Sequence, residues 1–114
     1  MTEERRLRER LETALREALR ARDRVAVAAL RSAVSAIDNA GAVEGPSRFR
    51  PRLGVGAADV ARRELSLHDV EGIVRAEIAD RVAAAADYER LGRAGEANRL
   101  LAEAAVLESH LDGT

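Results

Sequence analysis

Two histidines, His68 and His110, are the side chains best suited to proton transfer or metal ligation in this sequence, yet neither has companions at ligand spacing. A metal site needs three or four donors converging on one point, and a chain without Cys offers no thiolate ligand, thiol nucleophile or disulfide. His110 falls in the last turn of an expected helix, where the helix dipole should favour the imidazolium. Ser32, Ser35, Ser47, Ser66 and Ser109 lack a G-x-S-x-G setting. The 19 basic residues are all Arg, so Schiff-base, Walker-type and Ser–Lys chemistry are excluded. Asp80, Asp87 and Glu103 have no partner in the sequence that marks them for acid–base work. The expectation is no catalytic residue, no metal and no cofactor.

What remains is charge. Glu77 and Arg81 stand four residues apart beside Ile78 and Val82, the spacing of a partly buried ion pair that fixes helix register. Arg48-Phe49-Arg50-Pro51-Arg52 sets three cations around an aromatic, a combination able to grip phosphates and stack on a base. Arg22, Arg24 and Arg31 are the other cations placed to contact phosphate. Net charge is −1, with nine Arg against seven acids over residues 1–40, five against three over 41–66, and five against ten over 67–114. A strongly basic nucleic-acid binder does not have this balance.

Helices must carry these groups. Ala accounts for 24 residues and aromatics for only Phe49 and Tyr88, which favours helices that approach closely on small side chains over strands. The organising stretch is Arg22 to Asn39. Its apolar residues, from Val25 through Ile37, cover an arc of roughly 200° where one packing partner needs about 100°, so this helix should lie between others. Asp23 is its expected N-cap and Gly41 its expected left-handed terminator.

An earlier helix at about 3–20, with Thr2 as N-cap, presents a single stripe through Leu7, Leu11, Ala14, Leu15, Ala18 and Leu19. Its opposite face is expected to be laced by Glu4 with Arg8 and Glu12 with Arg16. Residues 41–57, rich in Gly and Pro, are expected to form a flexible loop, and 57–64 a short helical turn. Ser66 and Asp69 then have capping-box spacing, opening a helix over about 66–91 whose stripe includes Val82 and Leu91. Gly92 turns the chain into a last helix at about 95–111, with Leu100 and Leu101 on its apolar face. The spacing predicts an all-α domain, a small bundle of two helical pairs with a long antiparallel hairpin of the last two helices.

In order and spacing, Ala18 to Asn39 followed by Glu64 to Leu111 resembles the YqeY family. The resemblance rests on Ala21-Arg22-Asp23, Leu30-Arg31, Ala36-Ile37 with Asn39, the helix start from Leu67 to Ile73, Glu77 and Arg81, Gly92-Arg93, and the closing helix from Glu103 to Leu111. YqeY proteins are similar to the C-terminal part of GatB, the tRNA-handling subunit of a glutamine-dependent amidotransferase. Family members typically continue into a second small helical domain like the GatB tail, which is expected to be absent here; Ala79 and Asp80 also replace a more basic or amide-bearing stretch.

The resemblance implies a binding or accessory module connected with tRNA-dependent amidation. The readings are a non-catalytic module for a protein partner or for self-association, a tRNA-associated factor using its arginines, and an amidotransferase-related enzyme. The last conflicts with the lack of Cys and Lys. No run is long and apolar enough for a membrane span, and the charged N-terminus does not suit a signal peptide, so a cytoplasmic protein without membrane partners is expected.

Overall fold

The computed structural model describes residues 2–42 and 64–112. Four helices follow one another as α1 (Glu3–Ala21), α2 (Arg24–Gly41), α3 (Leu67–Arg90) and α4 (Ala94–Asp112). The described residues form an all-α bundle, in which α3 and α4 pack closely as an antiparallel hairpin and α1 pairs with α2. None of these helices is long and apolar enough to cross a membrane. The expected loop beyond Ala42 and all of the expected turn over 57–64 except Glu64, which has no regular structure, lie outside the described residues, as do Arg48, Phe49, Arg50 and Arg52.

Local chemistry sets the helix ends. Asp23 caps α2 by accepting from the Ala26 N–H at 3.1 Å. Ser66 and Asp69 form a complete capping box, both bonds at 3.0 Å. Thr2 occupies the N-cap position of α1, but its hydroxyl donates to the Glu4 carboxylate instead of accepting a backbone N–H. That bond, with the Glu4 backbone N–H and Arg5, holds the Glu4 carboxyl below its ordinary pKa. Gly41 departs from expectation: it is the last residue of α2, buried and not left-handed, and the chain leaves through extended Ala42.

Two helices end in the same hydrogen-bond pattern with different residues at its left-handed position. After α3, Gly92 has φ 77°, while its N–H donates to Glu89 O at 3.0 Å and that of Arg93 to Tyr88 O at 2.8 Å. After α1, Arg22 takes the equivalent position at φ 58°, its N–H on Leu19 O at 3.2 Å and that of Asp23 on Ala18 O at 3.0 Å. This is the Schellman arrangement, in which glycine is usual. Arg22 is the one non-glycine residue with positive φ among those described.

The core forms where α2 meets the other three helices. Leu7 and Leu11 of α1, Leu30 and Ile37 of α2, Val70 and Val74 of α3 and Leu107 of α4 are all but inaccessible to solvent. Each such side chain stabilises the fold by roughly 1.5–3 kcal/mol. Ala26, Ala29 and Ala33 are buried among them, so α2 is covered on more than one side as its wide apolar arc requires. The expected charged lacing of α1 is different in detail. Arg8 pairs with Glu12 at 3.6 Å and with Asp38 across to α2, whereas Arg16 bonds Thr13.

Four residues expected in apolar stripes are instead exposed: Leu19, Val82 and Leu101, and Leu91 at the hairpin turn. Each of the first three sits at the margin of its stripe, where the other described helices do not bury it. The left-handed Arg22 yields a test. That conformation costs a non-glycine residue roughly 1–2 kcal/mol, and the extra freedom of glycine in the unfolded chain returns roughly 0.5–1 kcal/mol of the relief. Arg22→Gly should therefore raise stability by roughly 0.5 kcal/mol in urea unfolding, and Arg22→Ala should not.

A candidate anion-binding groove and a buried ion network

The corner between α1 and α2 gathers Arg22, Arg24 and Arg31 around a groove of about 470 Å³ floored by Leu19, Val27 and Ala28. Arg24, Val27, Ala28 and Arg31 recur at helical spacings of three and four, so they share one face of α2. The Schellman turn swings Arg22 up beside them. All three arginines are exposed, and none makes a side-chain hydrogen bond or ion pair with a described residue. Arg24 also stands in the first turn of α2, which holds no acid. There its charge adds to the positive end of the helix dipole rather than offsetting it.

Neighbouring grooves are mixed in charge. One beside α1 is lined by Arg6, Glu9, Arg10 and Glu17 with Thr13 and His110, and another by Glu4, Arg5, Arg8 and Glu64. Each of these linings carries two acids beside two arginines. At the α1–α2 corner the described lining holds no acid; Asp23 lies beside it, and one of its carboxylate oxygens accepts from the Ala26 N–H. The arrangement suits a ligand that brings negative charge and a small apolar surface together.

The expected pair of Glu77 and Arg81 exists, and it belongs to something larger. Arg81 Nη1 donates to Glu77 Oε1 at 2.9 Å and to the Glu77 carbonyl at 3.2 Å, while Arg81 Nε donates to Glu103 Oε1 at 2.9 Å. Ser32 of α2 donates its hydroxyl to the same Glu77 oxygen. Glu103 is the one buried charged residue among those described. One cation thus ties two carboxylates and joins α2, α3 and α4 in a single network. Glu103 was legible in one respect: Arg81 and Glu103 are each eleven residues from Gly92, the register of a hairpin turning there. Ser32 had no such signal.

The histidines do not meet in a metal site, and no cluster of three or more His, Cys, Asp or Glu suited to a metal occurs among the described residues. His68 is exposed near the start of α3. For His110 the expected stabilisation of the cation is reversed. Burial lowers its pKa, and the neighbouring Arg10 lowers it further. Arg10 itself donates to the His110 carbonyl at 3.0 Å, so the guanidinium takes the cation's place at the α4 C-terminus.

Comparison with protein-family models, curated proteins and solved structures returns no match. The chemistry of the site therefore rests on its own geometry.

Two outcomes follow. Removing the only cation from the network strands two carboxylates, so Arg81→Met should cost roughly 3 kcal/mol in chemical unfolding, against about 1 kcal/mol for Ser32→Ala. His110 resists protonation when folded but takes a proton at its ordinary pKa when unfolded. Its contribution to stability is thus complete above that pKa and is lost as pH falls. The melting temperature should drop between about pH 7.5 and 5.5, and His110→Asn should make that drop smaller.

Proposed function

We propose that the protein is a non-catalytic, YqeY-like helical module that docks RNA phosphates at the α1–α2 corner, as an accessory to tRNA-dependent amidation. The observation that carries this reading is the set of exposed guanidinium groups of Arg22, Arg24 and Arg31 around one groove, none with a side-chain partner among the described residues. Arginine presents a planar fork of donors matched to phosphate oxygens. The aliphatic floor accepts the edge of a sugar or base, and overall charge can stay near zero because the positive field is local.

Left-handed Arg22 supports the same reading. A position where glycine is favoured holds a long cation that no described protein group satisfies, and such outliers concentrate at ligand clamps. An amidotransferase-type enzyme draws less support. Ser32 does donate to a carboxylate, but Glu77 is already committed to Arg81, and the grooves described above do not open onto the pair.

The test is a fluorescence titration of bulk tRNA with the purified chain at about 50 and 200 mM salt. Binding should weaken by more than about tenfold over that interval as counterions are released. Changing Arg22, Arg24 and Arg31 together to Ser should lower affinity and flatten the salt dependence; the same change at Arg48, Arg50 and Arg52 separates the two arginine sets. Absence of binding at low salt, or binding unaffected by loss of the corner arginines, would overturn the assignment.

A further inference from the structure

Among the described residues, nothing packs over one flank of the hairpin. Val82 and Leu101 are 46% and 40% exposed in the middle of long helices, where apolar side chains of this size ordinarily mark an interaction surface if they are contiguous. At 100° per residue, Glu71, Arg75, Ile78, Val82, Ala86 and Glu89 fall within an arc of about 80° on α3. On α4, Leu101, Ala105 and Glu108 share a comparable arc. Both arcs lie on the same side of the hairpin, because Arg75, Ile78 and Ala79 of α3 line one groove with Glu108 and Leu111 of α4. The bonds from Ser32 to Glu77 and from Arg10 to the α4 end show α2 and α1 attached elsewhere.

We propose that this flank is the docking surface for a second copy of the chain, arranged antiparallel with Val82 at the two-fold axis. The pattern of side chains is self-complementary in that arrangement. Arg75 lies seven residues before Val82 and Glu89 seven after it, so each protomer's Arg75 faces the other's Glu89. Ile78 and Ala86, four residues to either side, oppose one another in the same way. Val82 meets its own copy. Leu101 is nine residues beyond Gly92 and Val82 ten before it, so Leu101 stands level with Val82 and also meets its copy near the axis.

The charges favour this order over its alternative. A parallel arrangement would set Arg75 on Arg75 and Glu89 on Glu89, and like charges in register are destabilising. Within one chain these groups are weakly engaged: Arg75 is 59% exposed with Glu71 at 3.7 Å, and exposed Glu89 makes no side-chain ion pair among the described residues. Ala79, Ala86 and Ala105 bring no bulk that would hold two such flanks apart. The symmetry is isologous, so the assembly closes at two copies.

Sedimentation equilibrium of the full chain from about 1 to 500 μM tests the proposal, since a dimer of this kind is governed by protomer concentration. A monomer–dimer equilibrium is expected. Val82→Asp, at a half-exposed position that keeps the helix content seen by circular dichroism, should weaken it at least about tenfold. Arg75→Glu and Glu89→Arg should each weaken the dimer, and the two together should restore it. A chain that stays monomeric throughout overturns the proposal and leaves the flank to a different protein. A dimer indifferent to Val82→Asp, or charge reversals that do not rescue one another, overturns it as well.

Discussion

Everything in this bundle depends on how closely other helices can approach α2. Ala26, Ala29 and Ala33 carry almost no side chain on the buried face, so Leu7 and Leu11 from one side and Val70, Val74 and Leu107 from the others join Leu30 and Ile37 in one core. Interiors are packed at crystal-like density, and a chain of 114 residues with almost no aromatics can reach that density only if its helices come close. A large residue at Ala29 or Ala33 would push away several helices at once.

A core of small and aliphatic side chains is weakly directional, and polar groups supply what it lacks. Arg81 binds carboxylates from its own helix and from α4, while Ser32 reaches the same cluster from α2. A buried network of this kind contributes little net stability but makes alternative registers costly, because each slip would leave a charge unpaired. The helix ends do similar work locally: the capping box at Ser66 fixes where α3 begins, and the Schellman turns at Arg22 and Gly92 fix where α1 and α3 stop. With the carboxylates of the interior network held by Arg81, the exposed arginines of the α1–α2 corner face outward.

Much of this was legible in the sequence, for identifiable reasons. The wide apolar arc of α2 announced a helix with several neighbours, and Ser66, Asp69, Asp23 and Gly92 announced ends whose chemistry is local. Arg22, Arg24 and Arg31 could be singled out as cations, but their convergence on one groove depended on a left-handed arginine, and nothing in the one-dimensional pattern distinguishes that residue from any other. Exposure at Leu19, Val82 and Leu101 was misread because periodicity shows which residues share a face and not how far a neighbouring helix extends to cover it. His110 was misread for a related reason. The dipole argument is local to α4, whereas its surroundings are decided by Arg10, a hundred residues away in the chain.

Phosphate binding at the α1–α2 corner, proposed on arginines that have no partner among the described residues, is open to direct observation. The measurement that tests it most directly is a nitrogen-15 NMR titration of the chain with a short single-stranded RNA, observing backbone amides and arginine side-chain Nε groups. The largest shifts should cluster at Arg22, Arg24 and Arg31 with Leu19, Val27 and Ala28, while Arg81 in its buried network stays still. Shifts confined to other surfaces, or none at low salt, would contradict it.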